Sequence, residues 1–276
     1  MQENLTFIGG GNMAASLIGG LVAADHPAER IRVVEPDPAR REALTSRFGV
    51  QCKAAASAAL LDCDAAVLAV KPQVMQAVAR ALPAVPALVI SIAAGIRSDA
   101  LSAWLPAPAA LVRCMPNTPS LIGAGATGLY AGDGVSEDQR ALADAIMRTA
   151  GSTVWVEDEA LLDSVTAVSG SGPAYFFRLY EAMQAQAETM GLPADTARAL
   201  VLQTALGAAR MALESGDDPA TLRKNVTSPG GTTERALASF EQDSLEAVIG
   251  RGMQAARDRS ISLSDELAGT STQEGH

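Results

Sequence analysis

Short apolar runs alternate with amphipathic stretches through the first half of the chain, and long Ala/Leu-rich stretches fill the second. Residues 5–8, 31–34, 66–70, 88–92, 110–114 and 127–130 read as strands, with 153–156 as a last one. Several are almost wholly apolar, the pattern of a sheet covered on both faces. Residues 13–24, 39–48, 74–81 and 135–150 read as the helices between them, and this alternation predicts βαβ units with a parallel sheet. After Glu157 the strand pattern stops. Helices are expected over 175–190 and 194–214, from Thr232 onward, and over 245–267, punctuated at Gly191-Leu192-Pro193 and Gly216. The texture changes near Asp158–Asp163, so the expected division is 1–160 and 161–267. The chain turns polar from Ser264, which predicts a frayed end and a disordered tail over 268–276.

Composition narrows the class. The chain has 276 residues, 48% hydrophobic and 4% aromatic, so its core must be mostly Ala, Val, Leu and Ile. A helical half this apolar, with few aromatics to seal it, is expected to bury a face on another subunit or on the first domain. A net charge of -10 with scattered Lys and Arg argues against a nucleic-acid surface. The start MQENLTFIGGG is unlike a signal peptide, and no window has the length of an apolar membrane span. Cys52, Cys63 and Cys114 cannot all pair and show no C-x-x-C spacing, which predicts reduced thiols in the cytoplasm.

Ile8-Gly9-Gly10-Gly11-Asn12-Met13-Ala14 fits G-x-G-x-x-A between a strand and a helix. Gly9 permits the tight turn, Gly11 lets the backbone approach a pyrophosphate, and Ala14 allows close helix–strand packing. The pyrophosphate would rest on the N–H groups at Asn12 and Met13. Glu35 follows the second strand, about twenty residues on, where a carboxylate accepts from the adenosine ribose and favours NAD. Arg40 and Arg41 stand close enough in sequence to neutralise a 2′-phosphate instead, and both readings are open at this stage. Ala69-Val70-Lys71-Pro72-Gln73 and Cys114-Met115-Pro116-Asn117-Thr118-Pro119 follow strands, at the edge where ligands gather. Asn117 and Thr118 are candidate hydrogen-bonding groups for a nicotinamide pocket. Gly172-Pro173, in Ser169-Gly170-Ser171-Gly172-Pro173-Ala174, marks a helix entry.

In Lys224–Leu237, KNVTSPGGTTERAL, Pro229, Gly230 and Gly231 mark a turn before a helix. The unpaired N–H groups of that helix, its dipole and the hydroxyls of Thr227, Ser228, Thr232 and Thr233 suit a small carboxylate. The plainer reading is an ordinary capped helix.

Acid–base residues are scarce. The two histidines are His26, before Pro27, and His276, and neither is placed as a proton donor. The lysines are Lys53, Lys71 and Lys224, none early in the helical half. No His/Cys/Asp cluster has metal-ligand spacing, so no metal is expected. Hydride transfer without a strong acid suits an imine, whose protonated C=N already accepts hydride. Positioning and a hydrogen bond from a threonine hydroxyl then suffice.

The motifs IGGGNMA (8–14), AVKPQ (69–73), VRCMPNTP (112–119), SGSGPAY (169–175) and NVTSPGGTT (225–233) together resemble the pyrroline-5-carboxylate reductase family nearly end to end. The resemblance implies an α/β Rossmann N-terminal domain followed by an all-α C-terminal dimerisation domain, with interlocked dimers often built into larger rings. It implies NAD(P)H-dependent reduction of 1-pyrroline-5-carboxylate to L-proline, the final step of proline biosynthesis. A reductase of a six-membered cyclic imine or a cofactor-binding sensor are the rival readings. The substrate carboxylate would fall on Ser228, Gly230, Gly231 and Thr232, and the imine nitrogen on Thr233. Cofactor contacts would fall on Gly9, Gly10, Gly11, Asn12, Met13, Ala69, Val70, Lys71, Pro72, Met115, Pro116 and Asn117. Many members prefer NADPH and carry small polar or basic residues after the second strand, and Glu35-Pro36-Asp37 departs from that pattern.

Overall fold

The computed structural model describes residues 2–269. Its strands are β1 (Leu5–Ile8), β2 (Ile31–Val34), β3 (Gln51–Lys53), β4 (Ala65–Leu68), β5 (Leu88–Ser91), β6 (Ala110–Met115), β7 (Gly125–Ala131) and β8 (Gly151–Trp155). Between them run α1 (Asn12–Ala23), α2 (Pro38–Phe48), α3 (Ala58–Leu61), α4 (Pro72–Arg80), α5 (Ser98–Trp104) and α6 (Glu137–Arg148). Then come α7 (Leu161–Val165), a π-turn (Thr166–Gly170), α8 (Gly172–Thr189), α9 (Ala194–Glu214), α10 (Pro219–Asn225), α11 (Thr232–Gln242) and α12 (Leu245–Gly269).

Packing divides these elements into two units, one of residues 2–171 with 255–269, the other Gly172–Gln254. The first unit thus extends beyond residue 160. Leu162 is buried, and a Cβ at Gly128 on β7 would stand 2.6 Å from Val165 Cγ1, so α7 lies against the sheet.

In the first unit the eight strands form one sheet in the order β3-β2-β1-β4-β5-β6-β7-β8. Every neighbouring pair is parallel except β6–β7. Side-chain alternation explains why both faces are covered. Leu5, Phe7, Val67 and Ile90 point into one core, with Leu17, Leu21 and Ile146. Ile8, Ala66, Leu68 and Val89 point into the other, with Met75, Leu101 and Trp104. The chain leaves β1 toward β2 on one side and returns as β4 on the other. The carboxyl ends of β1 and β4 therefore flank the topological switch point, where open α/β sheets bind ligands.

Three expectations are corrected. β3, with its Gln-Cys-Lys composition and mostly exposed positions, carries no apolar signal and is held by pairing with β2. The short helices α3, α5 and α10 also lack a long apolar period and were not expected. The polar stretch from Ser264 is helical to Gly269 rather than frayed. Ser264 Oγ donates to Ser260 O at 3.0 Å, Ser260 Oγ donates to Asp163 Oδ1 at 2.6 Å, and Arg97 pairs with Asp265 at 2.8 Å. Of the tail expected over 268–276, residues 270–276 lie outside the described residues, and 268–269 close α12.

The second unit is helical throughout. α8 ends in a reverse turn at Gly191 (φ +99°), with Leu192 N donating to Ala187 O at 3.1 Å, and α9 packs back on it through Ala187, Ala197 and Val201. Phe176, Phe177 and Leu179 on α8, and Leu200, Leu206 and Met211 on α9, remain exposed in the single chain.

Candidate active site

At the switch point a cleft of about 920 Å³ opens, lined by Gly9, Gly11, Asn12 and Met13 from the β1–α1 turn, Glu35, Pro36 and Arg40 after β2, and Ala69–Pro72 after β4. Gly9 has φ +103°, and a Cβ there would meet Ala69 O at 2.8 Å. Gly11, by contrast, has nothing within 4 Å of its missing Cβ, so its backbone faces open space. Gly11 caps α1 without a side-chain hydrogen bond, which leaves the first-turn N–H groups for a ligand. Uncapped donors, the positive end of a helix dipole and a close backbone approach fit a pyrophosphate. The residues present therefore fit a dinucleotide.

Gly10 lies behind this wall: its N–H donates to Glu35 Oε2 at 2.8 Å. Met115, Pro116 and Asn117 do not line the cleft. Asn117 is buried, its Nδ2 donating to Ser169 O at 2.9 Å and its Oδ1 accepting from Ala126 N at 2.9 Å. Its amide thus locks the loop after β6 to β7 and to the π-turn, where helical hydrogen bonding is irregular. Sequence reading missed Ala54–Ala56 and Ala93–Ala94, which also line the cleft. Alanines carry no chemical signal, and Ala54–Ala56 follow the unforeseen β3.

The helical unit carries the second arrangement. Gly230 has φ +72° and Gly231 N donates to Ser228 O at 3.0 Å, so Ser228–Gly231 is a tight turn. α11 then begins at Thr232 with Gly231 as its cap and no side chain capping it. The first-turn N–H groups of Thr232 and Thr233 thus emerge beside their own hydroxyls. Gly230 N donates to Glu234 Oε2 at 2.8 Å, so this N–H is engaged within the chain.

His26 is buried with neither ring nitrogen hydrogen-bonded, and burial pushes its pKa below the ordinary value. Burial raises the Cys114 thiol far above the ordinary range, so it stays protonated and unreactive. Among the described residues no cluster of His, Cys, Asp or Glu could hold a metal ion.

Residues 159–263 match the family model described as pyrroline-5-carboxylate reductase dimerisation, and residues 4–95 match NADP oxidoreductase coenzyme F420-dependent. A pyrroline-5-carboxylate reductase of Pseudomonas aeruginosa is 50% identical over 266 residues, 95% of this chain and 97% of that protein. The chain belongs to the pyrroline-5-carboxylate reductase family. A second member, from Vibrio alginolyticus, is 44% identical over 92% of this chain and 95% of its own length. Among solved members, the Coxiella burnetii reductase superposes with a TM-score of 0.91 at 42% identity, covering 95% of this chain and 99% of its own. The Plasmodium falciparum reductase, whose structure has NADP bound, gives 0.80 at 27% identity over 95% and 98%.

Proposed function

We infer that this protein reduces 1-pyrroline-5-carboxylate to L-proline with NAD(P)H, and that its own residues act chiefly by positioning. The observation that carries the site reading is the uncapped first turn of α11 after the Ser228–Gly231 turn, in a member of this family. The substrate carboxylate rests on the N–H groups of Thr232 and Thr233, with Ser228, Gly230 and Gly231 shaping the turn. The Thr233 hydroxyl hydrogen-bonds the imine nitrogen. Gly9, Gly11, Asn12 and Met13 hold the pyrophosphate, and the segment Ala69–Pro72 borders the same cleft. A bound NAD(P)H supplies the hydride that the imine carbon accepts. The nitrogen keeps its proton, so no strong acid is required of the protein. Oxidation of NADH and of NADPH, followed with 1-pyrroline-5-carboxylate as sole acceptor, should proceed with at least one of them. Binding of both without imine-dependent oxidation would overturn the reaction.

The active form is a homodimer or a higher homo-oligomer, with a second copy covering the apolar face of α8 and α9. The family model over 159–263 and the exposed Phe177 and Leu206 support this. A carboxylate in such a buried interface is costly, whereas in an isolated chain both positions are exposed and tolerant. Phe177→Glu and Leu206→Glu together should lower the mass seen by light scattering to that of one chain. An unchanged mass would remove this face from the interface. No helix among the described residues is long and apolar enough to cross a membrane. The free thiols of Cys52, Cys63 and Cys114 accord with a reducing, cytoplasmic setting.

A further inference from the structure

We propose that Glu35 makes this enzyme bind NADH in preference to NADPH. The inference rests on the reading of the switch-point cleft as the dinucleotide site. Glu35 is 5% exposed, yet it lines the cleft where β2 ends. Its two carboxylate oxygens are held separately: Oε2 accepts from Gly10 N at 2.8 Å and Oε1 from Asp37 N at 2.9 Å. Its backbone is fixed as well, with Glu35 N donating to Lys53 O at 2.9 Å. The missing Cβ of Gly10 would lie 3.1 Å from Glu35 Cβ, so the side chain lies directly against the glycine loop. The anion therefore cannot swing aside to admit a phosphate without breaking two backbone hydrogen bonds.

A carboxylate held this way retains lone pairs for a donor, and the 2′- and 3′-hydroxyls of adenosine ribose are donors. A 2′-phosphate brings only acceptors and negative charge to the same place. Two cations stand near enough to compensate. Arg41 does not line the cleft and is tied to the backbone, its Nη1 donating to Glu35 O at 2.8 Å and to Pro36 O at 2.7 Å. Arg40 lines the cleft, but its side chain is 59% exposed and only 3.7 Å from Asp37 Oδ2. An exposed, solvated cation already facing a carboxylate is heavily screened, whereas a fixed, buried anion is screened much less. The fixed charge decides the balance.

Calorimetric titration without any imine should give the wild-type protein at least about a ten-fold lower Kd for NADH than for NADPH, the scale of one repelled charge. The same order should separate 5′-AMP from 2′,5′-ADP, which isolate the adenosine end. Glu35→Gln and Glu35→Ser should bring the two dinucleotides to within about three-fold or favour NADPH, while Arg40→Gln should leave NADH ahead. Tighter NADPH binding by the wild type overturns the inference, as does an unchanged ratio in both Glu35 variants. Loss of both dinucleotides in both variants would make Glu35 a clamp of the glycine loop and not a selector. The readout involves no turnover, so an enzyme that selects NADH yet reduces no 1-pyrroline-5-carboxylate would sink the reaction and leave this inference standing.

Discussion

Gly9→Ala is expected to weaken dinucleotide binding by about 100-fold or more, close to 3 kcal/mol, while the chain still folds. Gly9 follows β1 with φ +103°, a conformation that costs an L-residue about 1–3 kcal/mol. The added Cβ would also stand 2.8 Å from Ala69 O and 3.0 Å from Val70 Cγ1. Neither side can yield easily, because Gly9 N donates to Val34 O and Ala69 N donates to Ile8 O, each at 2.8 Å. The turn must shift, and with it the N–H groups that open α1. Gly11→Ala separates geometry from stability. At φ -71° with nothing within 4 Å, its Cβ strains nothing and only fills space the pyrophosphate would need. Its melting temperature should match the wild type while its Kd for NADH rises. Calorimetric Kd values beside thermal melts check both, and a Gly9→Ala protein binding within about three-fold of wild type would remove the turn from the site.

Legibility followed burial. β1 and β2 emerged at their expected bounds because every position of Leu5–Ile8 is buried on one face or the other, leaving an unbroken apolar run. Gly191-Leu192-Pro193 also stood out, since only a left-handed glycine closes α8 there. What misled was composition without partners. The stretch from Ser264 read as a frayed tail, yet Ser264 is buried and donates to Ser260 O, and Ser260 in turn donates to Asp163, most of a hundred positions away. Asn117 read as a hydrogen-bonding amide at a strand end, and its partners in the fold were not legible. Nothing local announces that Ser169 O and Ala126 N claim both ends of it. Glu35 shows the limit most sharply. Its place after β2 gave the role of a ribose acceptor, but whether it could yield to a phosphate depended on a second clamp beside the local one from Asp37 N, the N–H of Gly10, which only the fold brings to it. The turn before α11 was the opposite case, written almost wholly in local residues.

Thr233→Ala is expected to lower kcat by about 100-fold with KM for 1-pyrroline-5-carboxylate changed only a few-fold. The helix does not suffer, since alanine exceeds threonine in helix propensity and Thr233 caps nothing. The carboxylate donors do not suffer either, because they are backbone N–H groups of the first turn of α11. What disappears is a hydroxyl at the imine nitrogen, an interaction that matters most as the nitrogen loses its double bond, so the loss should appear in kcat. Glu234, the next residue along α11, is engaged with Gly230 N at 2.8 Å, so its carboxylate is held on the turn. Thr233→Ser restores the hydroxyl on a less restricted side chain and should recover most of the turnover. Thr233→Val keeps the shape, lacks the hydroxyl, and should fail like alanine. Steady-state kinetics of the three variants, each with a matched thermal melt, decide the role. Wild-type kcat in Thr233→Ala would leave the cradle as a carboxylate site and take the hydroxyl out of the chemistry.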